Sequence, residues 1–103
     1  MSTNYGLGLL GAFGTLTEES RKIAVWAKGR VIAGYDASIW RHDDFGFVIR
    51  FSDYGDRNSE YGWEIDHIIA SALSGPDNIT NLRPLHHRKN ASLGGTLGGL
   101  LNR

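Results

Sequence analysis

The sequence contains no cysteine, and this absence excludes two ways of stabilising a small domain. Without thiols there is no disulfide framework and no zinc site built on thiolates. The fold must therefore rest on apolar packing and hydrogen bonds, for which three Trp, four Tyr and four Phe are the obvious material.

Long hydrophobic runs are also lacking. The apolar stretch at residues 5–13 is short, is interrupted by three glycines and follows no basic stretch. A membrane-spanning helix needs about 20 apolar residues, and a signal peptide needs a positively charged start. The sequence therefore predicts a cytoplasmic protein with no membrane partner.

Charge of one sign is not in excess, because 11 basic residues balance 11 acidic ones. A dedicated nucleic-acid binder usually carries a basic excess. The charges are uneven, however: residues 36–77 hold nine acidic side chains and three arginines, whereas residues 78–103 hold four basic side chains, two histidines and no acid. An acidic middle beside a basic end can collect a cation and a phosphate in one place, although ordinary variation between solvated faces explains the same pattern equally well.

Length and pattern predict a single α+β domain, since 103 residues suffice for one modest core. Residues 1–16 are rich in glycine and have no clear period, so we interpret them as a flexible arm. Residues 17–103 are then the domain.

A helix is expected to begin after Thr17, a candidate N-cap, and to end near Gly29. Its apolar side chains Ile23, Trp26 and Ala27 fall on one face, which predicts the buried side.

Short strands are predicted at residues 30–33, 47–52, 63–69 and 82–85, where β-branched, aromatic and other apolar residues cluster between polar loops. A second helix is expected from about His87, weakened by the glycines that follow. Five aromatic side chains are expected to supply most of the packing: Trp40, Phe45, Phe47, Phe51 and Trp63.

The residues with recognisable chemistry lie in the segment 64–90. Asp66 and His67 are adjacent on a predicted strand, so a twist or bulge is needed to bring both to one phosphate. Asn90, near the start of the second helix, would return an amide oxygen toward Asp66. One carboxylate and one amide oxygen, completed by water and substrate phosphate, suit a hard cation such as Mg²⁺. An imidazole ordinarily titrates near pH ~6.5 and suits proton removal from water at neutral pH.

The segment resembles the HNH nuclease motif, in which an Asp-His strand is followed by a loop, an Asn-Leu pair and a helix. The matching residues are Asp66-His67-Ile68, Asn81-Leu82, Leu85-His86 and Asn90. His67 and Asn81 are 14 positions apart, and Asn81 and Asn90 are nine apart, spacings similar to those in the HNH domains of RNA-guided CRISPR nucleases. The turn Gly75-Pro76-Asp77 stands where many relatives have Gly-Gly-Ser-Asp.

The resemblance implies a ββα-metal (His-Me finger) core with an N-terminal helix and short antiparallel strands. His67 falls on the general base, and Asp66 and Asn90 fall on the ligands of one divalent metal ion. Asn81 falls on the residue that hydrogen-bonds across the loop and orients the base. The chain therefore looks like a His-Asn-Asn variant, for which Mg²⁺ is the expected metal and Mn²⁺, Ni²⁺ and Zn²⁺ are alternatives.

Many HNH proteins carry two cysteine pairs around a structural zinc. Here His86 and Lys89 stand where the second pair would fall, so no structural zinc is expected. Relatives often carry a lysine three residues after the final ligand, where this chain has Leu93, which weakens the expected hold on substrate.

Six further residues are candidates for supporting the metal or contacting phosphate, and each also has a plainer explanation as a packed or solvated side chain: Glu64, Arg83, His86, His87, Arg88 and Lys89.

The resemblance implies a metal-dependent endonuclease that cuts one or both strands of DNA, with RNA not excluded, as a monomer or homodimer. Two alternatives remain at this point. One is a nucleic-acid-binding HNH module with weak catalysis, favoured by the zero net charge. The other is a subunit that needs a partner, such as phage packaging machinery.

Overall fold

The computed structural model describes residues 17–94. This part of the chain is a small α+β fold of two helices and five short antiparallel strands. The predicted arm at residues 1–16 lies outside the described residues, as do the last nine residues of the predicted domain. Neither of the two helices has the length or apolar character to span a bilayer.

The first helix, α1, runs over Glu18–Trp26 and begins as predicted, because the Thr17 side chain accepts a hydrogen bond from the Ser20 amide. The predicted buried face is only partly right. Trp26 and Val25 are buried, whereas Ile23 is 52% exposed. The helix is short and contacts the core through its last turn. The buried residues are therefore those near its C-terminus, and the apolar face is not buried along its whole length.

Three strands form one antiparallel sheet in the order β1 (Arg30–Val31), β2 (Trp40–His42) and β3 (Val48–Arg50). The strand predicted at residues 47–52 is shorter than expected because the chain turns into a 3₁₀ helix at Phe51–Asp53. This turn directs Phe51 toward Trp26, with the two rings 5.4 Å apart.

The second sheet is a two-stranded antiparallel pair, β4 (Trp63–His67) and β5 (Leu82–His86). The connection between them contains 3₁₀ turns at Ser71–Leu73 and Ile79–Asn81. Helix α2, His87–Leu93, follows β5 without a loop and begins where the sequence predicts.

The core joins the two sheets to α1. Its buried members are Val25, Trp26, Ile49, Trp63 and Leu82. Trp63 is completely buried at the start of β4, and its ring lies 5.1 Å from that of Trp26. Of the five aromatics expected to supply packing, Trp63 and Phe51 contribute to this core. Phe45 and Phe47 are 46% and 41% exposed, because Phe45 lies in the tight β2–β3 turn and Phe47 directly follows it.

A fully buried aspartate, Asp43, ties that turn to the second sheet. Its Oδ1 accepts hydrogen bonds from the amides of Phe45 and Phe47 at 2.9 and 2.8 Å, and its Oδ2 accepts one from the His86 amide at 3.0 Å. Since each partner is a backbone N–H, the carboxylate replaces strand pairing where the two sheets meet.

Candidate active site

The β4–β5 pair and α2 place the predicted site residues. In the antiparallel register, Asp66 lies opposite Arg83 and His67 lies opposite Leu82. The candidate metal ligand Asp66 and the candidate base His67 are therefore together at the end of β4. Because α2 starts directly after β5, Asn90 in its first turn packs back over β4. A hairpin and the helix that follows it thus position three candidates within 25 residues of sequence.

Asp66, His67 and Asn90 line one cavity of about 160 Å³. Its other walls are Ile65, Ala70 and Ser71. Asp66 and His67 share this cavity although they are adjacent on a strand, because β4 ends at His67 and the chain leaves the sheet there. The twist or bulge expected there is not seen, because β4 pairs regularly with β5 from Trp63 to His67.

Asp66 is 4% exposed, and burial of a carboxylate requires a partner. Arg83 is that partner across the sheet, with its Nε donating to Asp66 Oδ2 at 3.1 Å. The Arg83 guanidinium also reaches Asp44 Oδ2 at 3.4 Å. Arg83, a candidate for phosphate contact, is thus engaged by two carboxylates.

Asn90 is held by Glu64, which lies two residues before Asp66 on β4. The Asn90 Nδ2 donates to Glu64 Oε1 at 2.7 Å, which leaves Oδ1 as the atom that Asn90 can offer to a cation. Arg57 donates to both oxygens of Glu64, at 2.5 and 2.8 Å. Burial raises the pKa of Glu64, but the hydrogen bonds from Arg57 and Asn90 outweigh it, so the pKa lies below its ordinary value. Glu64 therefore orients the amide as a carboxylate.

Asn81 closes the loop after β4, as the motif predicts. Its Oδ1 accepts from the Ile69 amide at 2.8 Å, and its Nδ2 donates to the carbonyls of Ile69 and Pro76 at 3.0 and 2.8 Å. These three bonds hold in place the loop that begins directly after His67. The hydrogen bonds across the loop that were expected of Asn81 are present, and they join the backbone at Ile69 and Pro76 rather than the His67 ring.

The imidazole of His67 contacts Asp77, a residue that the sequence singled out only as part of a turn. His67 Nε2 lies 2.9 Å from Asp77 Oδ1. Arg21 of α1 donates to both oxygens of Asp77, at 2.8 and 3.2 Å. A hydrogen bond from Arg21, and then one from His67, hold the pKa of Asp77 below its ordinary value.

His86 and His87 take the packed role rather than a ligand role. Each ring donates through Nε2 to a backbone carbonyl, His86 to Glu60 and His87 to Ser59, both at 2.7 Å. The two rings stack with centroids 4.6 Å apart. Both side chains are buried, and their hydrogen bonds hold the loop before β4 against the start of α2.

Arg88 and Lys89 differ in their surroundings. Arg88 is exposed, and the Lys89 ammonium lies 4.5 Å from the centre of the Phe45 ring. Arg88 is the exposed and Lys89 the half-buried cation at the start of α2. Both remain candidates for phosphate contact, since an ammonium over a ring keeps its charge.

Comparison of the chain with protein-family models, curated proteins and solved structures gives no match. Within residues 17–94, no group of three or more His, Cys, Asp and Glu side chains is placed to hold a metal ion. Inference about function therefore rests on the cavity and its residues.

The sequence carries no pattern that predicts the supporting contacts of Arg21, Arg57 and Asp77. Arg21 and Asp77 are 56 positions apart, and neither belongs to a recognisable motif with the other. Asp77 offered one indication of a structural role, because it lies in the turn that leads the chain back toward Asn81 and β5.

Proposed function

We propose that this chain is a metal-dependent endonuclease of the HNH type that hydrolyses phosphodiester bonds in DNA. The observation that supports it most strongly is the convergence of Asp66, His67 and Asn90 on one cavity. The hairpin-then-helix order of β4, β5 and α2 is the arrangement expected of a ββα-metal core and supports the same proposal.

The cavity residues fit a hard divalent cation. Asp66 offers carboxylate oxygen and Asn90 offers amide oxygen, the ligand types that Mg²⁺ prefers. Two protein ligands are few, but Mg²⁺ usually keeps several waters and takes the rest of its ligands from substrate phosphate. A space of about 160 Å³ has room for such waters. When bound, the ion would supply Lewis-acid stabilisation of the charge that develops on the phosphate.

The remaining steps belong to the side chains. His67, as general base, removes a proton from the attacking water. Glu64 keeps the Asn90 amide turned with its oxygen available, and Arg57 keeps Glu64 ionised. Arg88 and Lys89, at the start of α2, carry positive charge that would steady the DNA backbone.

One specific observation favours a second candidate, a nucleic-acid-binding module with weak catalysis. Asp66 is already paired with Arg83, so a cation must share that carboxylate with a guanidinium. Together with zero net charge, this pairing lowers the expected affinity for metal and DNA. The assay that tests the endonuclease also separates the two candidates.

The test is nicking of supercoiled plasmid by protein stripped of metal with EDTA. Addition of Mg²⁺ or Mn²⁺ is expected to convert the plasmid to open circles before linear DNA, because one such site cuts one strand. Asn90→Ala is expected to raise the Mg²⁺ concentration that gives half the maximal rate by about tenfold or more. The matched control is Asn58→Ala, an exposed asparagine in the loop before β4.

Absence of cleavage with all of Mg²⁺, Mn²⁺, Ni²⁺ and Zn²⁺ would support the binding module instead. Cleavage that persists in EDTA would contradict metal dependence. An Asn90→Ala protein with the wild-type Mg²⁺ requirement would remove Asn90 from the ligand set.

A further inference from the structure

The imidazole of His67 contacts the carboxylate of Asp77. Asp77 lies in the loop between β4 and β5, and its side chain is 62% exposed. An exposed carboxylate is ordinarily free to move, but here the Arg21 guanidinium binds both of its oxygens. A bidentate arginine fixes a carboxylate in position as well as in charge.

An ionised carboxylate only accepts hydrogen bonds, so the group facing Asp77 Oδ1 must be a donor. Nε2 of His67 is that group, 2.9 Å away. A neutral imidazole carries one proton. With Nε2 protonated, Nδ1 is the nitrogen that has a free lone pair.

We propose that Asp77, fixed by Arg21, is a positioning residue that keeps the proton of His67 on Nε2 and so makes Nδ1 the basic atom. The proposal rests on the proposed role of His67 as general base. It adds a support for His67 that comes from Asp77 and from Arg21 of α1, outside the pair of strands and helix that carry the motif.

A merely structural ion pair predicts a different outcome. Exposed ion pairs contribute little to stability, so loss of Asp77 should hardly change the melting temperature. Loss of an orienting partner, in contrast, typically lowers activity about 10–100-fold. Both roles therefore predict a nearly unchanged melting temperature, and the fall in turnover separates them.

The direct test is ¹⁵N NMR of the metal-free, full-length protein with labelled histidine, at a pH about two units above the ordinary imidazole pKa. In the wild type, the His67 signals are expected to show a protonated Nε2 with a slowly exchanging ring proton and an unprotonated Nδ1. In Asp77→Ala, the ring proton is expected to exchange rapidly, and the two nitrogen shifts to move toward each other.

The activity arm uses the plasmid assay at saturating Mg²⁺. Asp77→Ala is expected to lower kcat about 10–100-fold with KM for DNA unchanged, and Arg21→Ala to lower kcat less, because the carboxylate remains. Arg21→Lys should fall between Arg21→Ala and the wild type, since it keeps the charge but loses the bidentate geometry. The matched control is Asp36→Ala, whose carboxylate is exposed and bonds to Ser38.

A protonated Nδ1 in the wild type, or His67 signals that are the same in Asp77→Ala, would overturn the proposal. So would an Asp77→Ala protein with wild-type kcat. Failure of the proposed function looks different: the wild-type protein would show the expected NMR pattern and still cleave no DNA with any metal.

Discussion

Replacement of His67 by alanine is expected to lower the rate of metal-dependent DNA cleavage by about 10³-fold at saturating metal, within the range typical of general-base catalysis. His67 lines the cavity with Asp66 and Asn90, and its ring is held by Asp77. In the proposed mechanism, removal of the imidazole leaves the attacking water without a proton acceptor. The proposed metal ligands are untouched, so the Mg²⁺ concentration for half the maximal rate should stay the same.

The measurement is the initial rate of plasmid nicking under single-turnover conditions, which isolates chemistry from product release. His42→Ala is the matched control, because His42 lies in β2 and lines a different cavity. His67→Ala that retains more than a tenth of the wild-type rate would contradict the assignment. The same variant also exposes a contaminating nuclease, whose activity would not respond to the substitution.

The second large effect concerns folding. Asp43→Ala is expected to lower the free energy of unfolding by about 3 kcal/mol, because three backbone amides lose a charged acceptor in a site closed to water. For a domain of this size, that loss lowers Tm by roughly 12–24 °C. Thermal and urea unfolding followed by tryptophan fluorescence measure both quantities.

Asp44→Ala is the control for this experiment, since Asp44 is the next residue and is exposed. Its ion pair with Arg83 is long, at 3.4 Å, so the expected change is about 1 kcal/mol or less. Equal destabilisation by the two substitutions would show that Asp43 does not hold the two sheets together.

The site was predictable from sequence to the extent that its contacts are local. Asp66 and His67 are neighbours, and the β4–β5 pair returns the chain beside them after a short connection. Asn90 then follows on a helix with no intervening loop. Residue chemistry together with the resemblance to the HNH motif therefore predicted that these three would lie close together, and they line one cavity.

The supporting contacts were not predictable, because they join parts of the chain that no local pattern relates. Arg21 meets Asp77 from α1, and Asp43 meets the His86 amide across 43 positions. Both depend on how α1 and the three-stranded sheet dock onto the second sheet. The sequence shows which charged side chains need partners, but it does not show which residues supply those partners.

The fold was predicted best where periodicity and capping agree. Thr17 and the start of α2 at His87 were placed correctly, since cap chemistry and strand endings are local. The buried face of α1 was partly wrong, because tertiary contact with Trp63 and Leu82 selects Val25 and leaves Ile23 in solvent. Exposure of Phe45 likewise follows from the tight turn that Asp43 stabilises.

The most direct test of the proposed active site is a crystal of the protein soaked in Mn²⁺, with data collected at a wavelength that gives anomalous scattering from the metal. The proposal predicts one anomalous peak in the cavity of Asp66, His67 and Asn90, contacting an oxygen of Asp66 and Oδ1 of Asn90. An empty cavity at Mn²⁺ concentrations that support cleavage, or a peak bound only by residues elsewhere, would contradict it.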